Sequence, residues 1–206
     1  MPSSAPEISE NVEFCAMTPL QVQNSLDKIH FIKNLIIGGA AVSEKLKNEI
    51  STTLQFSNSP TRIYETYGMS ETLSHIALKQ VFPVQEDYFT IFNDVEISVD
   101  ERNCLVIEAL ELSLEKITTN DIVEILNATQ FVLKGRIDNV INSGGIKIFP
   151  EEIEEILAKY ISFPFFIASK PDEVLGEKVI LVLEATPFSF DNSVFSELSK
   201  YQIPKD

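Results

Sequence analysis

The spacing of apolar positions changes character along the chain. Leu20, Val22, Leu26 and Ile29 follow Pro19 at helical intervals and predict a helix over 20–29. Leu35-Ile36-Ile37 is a short apolar run that stops at Gly38-Gly39 and predicts a buried strand. Ser43, a good N-cap followed by Glu44, predicts a helix running to Ile50. Arg62 to Thr66 predicts another strand, ending at Tyr67-Gly68. Strand, loop, helix and strand in this order form an α/β pattern, in which ligands gather at the C-terminal ends of strands.

Beyond Ile76 the segments become short, β-prone and punctuated by Asn and Asp. Val95 to Val99 alternates strictly, Leu105 to Leu110 is a second strand candidate, and Asp121 to Ile125 with Gln130 to Leu133 reads as a hairpin. This stretch predicts a small antiparallel β subdomain. A third section opens at Gly135. Val140-Ile141 leads into Asn142-Ser143-Gly144-Gly145, a turn that needs unusual φ angles, and Ile146-Lys147-Ile148 returns. Pro150 then starts a helix with Glu151 and Glu152 in its first turn and Ile153, Ile156, Leu157 and Tyr160 on one face. Strands at 165–169 and 178–183 and a final helix near 194–201 complete an α+β unit. The expected class is therefore α/β followed by α+β.

At 206 residues the chain has room for one large or two modest domains, and 44% hydrophobic content supplies a core. A net charge of −15 argues against nucleic acid binding through a basic face. It also means that any anionic ligand must be held by backbone N–H groups, Mg²⁺ and a few placed cations. No apolar run approaches the ~20 residues of a membrane span. Met1 to Glu10 is polar, with neither a basic start nor the apolar core of a signal peptide. Cys15 and Cys104 stand in no metal or redox spacing, which fits a cytoplasmic protein, and His30 and His75 alone leave little for a His-based metal site.

Two segments carry chemistry. Tyr67-Gly68-Met69-Ser70-Glu71 packs a ring that can stack on a base, a hydroxyl for a phosphate and a carboxylate for Mg²⁺ into five residues; alone, it also reads as a tight turn with a cap at Ser70. Gly135-Arg136-Ile137-Asp138, continuing to Gly144-Gly145-Ile146-Lys147-Ile148, reads as a polar joint followed by backbone that something approaches closely.

Together with Gly38-Gly39-Ala40 upstream, and with Pro150-Glu151-Glu152-Ile153-Glu154 downstream, these segments resemble the ordered motifs of the ANL superfamily of adenylate-forming enzymes. Within it, Met17 to Gln23, Gly68 to Ala77 and Thr119-Asn120-Asp121 followed by 135–145 resemble the o-succinylbenzoate–CoA ligases of menaquinone biosynthesis.

The resemblance implies the C-terminal portion of a large adenylation domain over 1–137 and an incomplete small domain over 138–206. It implies two half-reactions: a small-molecule carboxylate attacks the ATP α-phosphate, then the CoA thiol displaces AMP. The backbone of Gly38, Gly39 and Ala40 would line the adenine slot, with Gly68 and Met69 in the same nucleotide motif. Tyr67 would stack on adenine, Ser70 would bond the α-phosphate and Glu71 would ligate Mg²⁺. Asp121 would accept the ribose hydroxyls and Arg136 would bind ribose or phosphate. Asp138 would be the hinge, Gly144 and Gly145 would border the pantetheine tunnel, and Ser74 and His75 could face the acyl group.

Two positions depart from the family pattern: Asn120 stands where Gly is usual, and Asn139 where a second Asp is common. A Ser/Thr/Gly-rich triphosphate loop is not found, and Tyr201 to Lys205 resembles only the lead-in to the motif of the catalytic lysine. The chain by itself is thus expected to be inactive. A ligase for another aryl or fatty acid, and a non-catalytic nucleotide-binding remnant, remain alternative readings.

Overall fold

The computed structural model describes residues 6–57, 60–110, 113, 115–185 and 192–205. Thirteen strands and three α-helices are assigned among them. They are β1 (Val12–Met17), α1 (Pro19–Gln23), β2 (Ile32–Ile37), α2 (Glu44–Leu54), β3 (Arg62–Gly68), β4 (His75–Phe82), β5 (Phe89–Ile91) and β6 (Glu96–Val99). They continue with β7 (Cys104–Glu108), β8 (Ile117–Asn127), β9 (Gln130–Arg136), β10 (Ile141–Ser143), β11 (Ile146–Ile148), α3 (Pro150–Leu157), β12 (Phe165–Asp172) and β13 (Gly176–Leu183).

The first nine strands form one sheet in the order β1-β2-β3-β4-β5-β9-β8-β7-β6. β1, β2 and β3 run parallel; from β3 to β4 onward the pairing is antiparallel. The expected antiparallel section therefore forms, but as a continuation of the α/β sheet rather than as a separate one. A second sheet, β11-β10-β13-β12, carries α3.

Three apolar clusters hold these layers. Val22, Leu35, Ile37, Leu46, Ile50 and Ile63 pack α1 and α2 against the parallel strands. Ile76, Phe89, Leu105, Ile107 and Phe131 fill the antiparallel half. Ile141, Ile148, Ile153, Leu157, Ile167 and Val179 form the core of the second sheet. At ~1.5–3 kcal/mol for each fully buried large aliphatic side chain, these clusters are the main source of stability.

The local signals act as their chemistry requires. Ser43 Oγ accepts the N–H of Leu46 at 3.3 Å and caps α2. Thr18 and Gln21 form a reciprocal capping box at α1. The helix expected over 20–29, however, ends at Gln23. The Ser25 N–H turns back three residues to Val22 O, and a 3-10 turn at Ile29–Phe31 feeds β2 directly. α3 stops at Leu157, which leaves Tyr160 exposed with its hydroxyl bonded to Glu197. The final segment makes a 3-10 turn at Asn192–Phe195 and further turns in place of an α-helix. Leu198 anchors it, and three-residue bonds such as Leu198 N–H to Phe195 O tighten the chain. No helix among the described residues is long and apolar enough to cross a membrane.

Candidate functional site

Loops leaving the C-terminal ends of β2 and β3 lie side by side because these strands are parallel neighbours. After β2, the Gly38 N–H donates to Met17 O at 3.0 Å, and Gly39 takes φ +84°. A Cβ on Gly38 would lie 2.6 Å from Thr66 Oγ1, so any side chain here would have to displace the Thr66 hydroxyl that faces it from β3. Gly38, Gly39 and Thr66 line a depression of about 350 Å³ together with Met17, Thr18 and Gln21.

Glu65 braces the same loop. It lies on β3 between Ile63 and Tyr67 on the buried face and is 6% exposed. Its Oε1 accepts the Val42 N–H at 3.0 Å, and Lys79 Nζ stands 2.9 Å from its Oε2. The Lys79 ammonium also lies 4.6 Å from the centroid of the Phe89 ring. Glu65 belongs to no motif that marks it in the sequence. Its signal was a carboxylate at an inward position of an alternating strand.

At the end of β3 the chain bulges. A side chain on Gly68 would meet the Cα of His75 and the carbonyl oxygen of Ser74, both at 2.5 Å. Ser70 and Glu71 follow on an exposed 3-10 turn. Thr72, fully buried, ties this turn together: its hydroxyl accepts the Met69 N–H at 3.0 Å and lies 2.7 Å from Ser74 O. Leu73 is left-handed at φ 58°. Ser74 Oγ lies 3.2 Å from His75 Nδ1, and the imidazole meets Phe92 edge to face.

Tyr67 points the other way, into the core between Phe89 and Phe131, at centroid distances of 5.7 and 5.2 Å. Its hydroxyl donates to Asp121 Oδ2 at 2.6 Å, a contact across 54 residues of chain. Burial, and then the Asp121 carboxylate, push the Tyr67 hydroxyl well above the ordinary phenol range. Asp121 is itself 9% exposed. Arg136 Nη1 stands 3.5 Å from Asp121 Oδ1, and Arg136 Nη2 donates to Asp138 Oδ2 at 3.2 Å. The Asp138 contact, followed by the Asp121 charge, raises the pKa of Arg136 further.

Tyr67, Asp121, Arg136 and Asp138 are thus joined in one polar chain. The Gly38–Ala40 loop and the Ser70–Glu71 turn flank β3. Gly144 and Gly145 lie in the second sheet, on the β10–β11 turn, at φ 60° and 84°. There the Gly144 N–H donates to Leu175 O at 2.8 Å.

No family model matches the chain. It is 35% identical over 78 residues to a medium/long-chain-fatty-acid–CoA/3-oxocholest-4-en-26-oate–CoA ligase of Mycobacterium tuberculosis, a match covering 34% of this chain and 14% of that enzyme. The structure of an acyl-CoA synthetase (AMP-forming)/AMP-acid ligase II-like protein from Dyadobacter fermentans superposes on 99% of this chain and 62% of its own, with a TM-score of 0.61 and 32% identity. O-succinylbenzoate coenzyme A synthetase (MenE) from Bacillus subtilis, in complex with ATP and magnesium ion, matches 94% of this chain and 46% of its own, with a TM-score of 0.74 and 18% identity. The chain spans less than two thirds of each of these proteins. Its mixed sheet with few helices, and the small sheet that follows, have the fold of the C-terminal part of the ANL adenylate-forming enzymes.

Proposed function

We propose that the chain is the nucleotide-base and junction portion of an ATP-dependent acid–CoA ligase, with residues 1–137 from its large domain and 138–206 from its small one. The observation that carries this reading is the meeting of Tyr67 and Asp121 at 2.6 Å beside Arg136, which unites two motifs far apart in sequence. A carboxylate with two acceptor oxygens suits two adjacent hydroxyls of a ribose, and Arg136, an always-charged fork, suits the adjoining phosphate. Adenine would lie against the Tyr67 end of β3 and the Gly38-Gly39-Ala40 backbone. Ser70 would bond the α-phosphate.

Glu71 would hold Mg²⁺. The described residues contain no group of three His, Cys, Asp or Glu that could hold a metal, so phosphate oxygens and water would complete its sphere, as Mg²⁺ sites commonly require. The ion would neutralise phosphate charge when bound. Gly144 and Gly145 would border the path of CoA, and Ser74 and His75 would face the acid.

The proposed acid is o-succinylbenzoate, converted to its CoA thioester in menaquinone biosynthesis. The resemblance of 17–23, 68–77, 119–121 and 135–145 supports this choice, as does the likeness in fold to MenE. A ligase for a fatty or other aryl acid is the second reading, favoured by the 78-residue match to the mycobacterial enzyme. Without a triphosphate loop, these residues alone are proposed not to turn over.

Calorimetry with AMP tests the nucleotide site on this chain. Binding is expected, and D121A is expected to weaken it at least tenfold. A folded chain that takes up no AMP at millimolar concentration refutes the reading. Pyrophosphate exchange by the complete parent enzyme with a panel of acids tests the substrate. Exchange with another acid and none with o-succinylbenzoate overturns the specific assignment.

A further inference from the structure

Asn120, the departure noted in the sequence, sits half-buried on β8 immediately before Asp121. Its Oδ1 accepts a hydrogen bond from Arg102 Nη1 at 3.1 Å. Its Nδ2 faces both carboxylate oxygens of Asp138, at 3.2 and 3.4 Å. A guanidinium offers only donors and a carboxylate only acceptors, so the side chain between them must accept on one side and donate on the other. An amide does this. A carboxylate at 120 would oppose Asp138, and glycine or alanine would leave Arg102 and Asp138 unbridged.

Both ends of this bridge are anchored. Arg102 donates from Nε to Asp100 Oδ2 at 2.8 Å and from Nη2 to Thr119 O at 3.0 Å. Asp100 Oδ1 in turn accepts the N–H groups of Arg102 and Cys104, at 2.8 and 2.9 Å. At the far end, Asp138 lies in the 3-10 turn Ile137–Asn139, which carries the chain from the nine-stranded to the four-stranded sheet. Arg136 reaches Asp138 from one side, and on the other Asn139 Nδ2 donates to Glu151 Oε1 of α3 at 2.7 Å. Among the described residues no apolar cluster bridges the two sheets: that of the antiparallel half ends with Phe131 and that of the second sheet begins with Ile141. Polar contacts, together with the close approach of α3 to Gly135 of β9, hold this turn.

We infer that Asn120 is a positioning residue that, with Arg102, straps the junction turn 137–139 to β8 and so sets the direction in which the second sheet leaves the first. Because Asp138 shares Arg136 with Asp121, the strap also couples the junction to the ribose-binding carboxylate. That coupling rests on the nucleotide reading above, whereas the strap itself rests on contacts within the chain.

The Val140 N–H, which closes the turn onto Ile137 O at 3.4 Å, is the reporter. Its amide-exchange protection factor, normalised for the intrinsic exchange rate, is measured by NMR on the whole chain, with the buried Ile107 amide as control. N120A and R102M should each lower Val140 protection about five- to tenfold and leave Ile107 unchanged, the size expected for losing one hydrogen bond of ordinary net strength at a partly exposed site. N120D should lower it at pH 7, where the introduced carboxylate would face Asp138 with Arg102, Arg136, Asp100 and Asp121 nearby, and recover as the pH falls and the pair takes up a proton. N120D combined with D138N exchanges amide and carboxylate and should restore protection to within about twofold.

Unchanged Val140 protection in both N120A and R102M overturns the strap, as does a swap variant no better protected than N120D. Should N120A fail to fold, R102M and the swap decide. AMP should raise Val140 protection in the wild type and do so less in N120A. Absence of AMP binding to the wild type refutes the nucleotide reading, and the unliganded measurements then decide the strap by themselves.

Discussion

The hydrogen bond from Tyr67 to Asp121 can be tested through its dependence on pH. Y67F keeps the ring that packs on Phe89 and Phe131 and removes only the hydroxyl that meets Asp121 at 2.6 Å. A buried hydrogen bond to a charged group contributes ~1.5–3 kcal/mol, so Y67F should be destabilised by about that amount at pH 8. Burial and the Asp121 charge raise the Tyr67 pKa in the folded state above its ordinary value near 10. A raised folded-state pKa means that the contribution is complete below pH ~10 and is lost as the pH rises, because only the unfolded phenol then gives up its proton. One unit above the unfolded pKa, at pH 11, the loss is about 1.4 kcal/mol. Urea unfolding of wild type and Y67F at pH 8 and pH 11 isolates this, since the other titrating groups cancel in the difference. The gap between the two proteins should shrink by about 1.4 kcal/mol. An equal gap at both pH values would show that Tyr67 titrates as an ordinary exposed phenol, and the buried pair would be refuted.

Other consequences are equally direct. G68A drives a methyl into the backbone of Ser74 and His75 and should cost ~1–3 kcal/mol as overpacking, read as a lowered Tm; a Tm equal to wild type would refute the close approach at the bulge. E65M strands Lys79 and the Val42 N–H and should cost ~3–5 kcal/mol, whereas the E65M/K79M double variant should recover part of that loss in denaturant unfolding; strict additivity would disprove the pair. G145A meets no atom within 4 Å, so its cost should be the left-handed backbone alone, ~1–2 kcal/mol, and G145N should cost less; equal stability of all three proteins would argue against φ +84°.

The sequence disclosed features whose causes are local. Ser43 caps α2, the Gly144-Gly145 turn has positive φ, and the alternation of 95–99 becomes a strand, because each depends on neighbours within a few residues. β1 escaped notice because most of its residues are half-buried or exposed at the end of the sheet, so its period is faint. The helix expected over 20–29 broke because a capped turn and the entry into β2 outweighed its apolar spacing. In the site, motif residues could be named individually, but their partners could not. Asp121 finds Tyr67 across 54 residues, Glu65 finds the Val42 N–H, and Asn120 finds both Arg102 and Asp138 only once the strands are in register. Pairings of this kind follow from topology, which no local window of sequence contains.

β1 ends the nine-stranded sheet and pairs with β2 alone, so its outer row of N–H and C=O groups faces away from every other described strand. Phe14 on this strand is 57% exposed. In this chain taken by itself, such an edge is a template for pairing with a second molecule. What opposes that encounter is mutual repulsion between chains of net charge −15, and repulsion weakens once the Debye length contracts to ~10 Å at 0.1 M salt. Colloidal behaviour should therefore run against intuition for so acidic a protein. Light scattering from a concentrated solution should rise as salt is added, and F14K, placing a charge on the edge, should suppress the rise; a salt-independent signal would remove the edge from consideration.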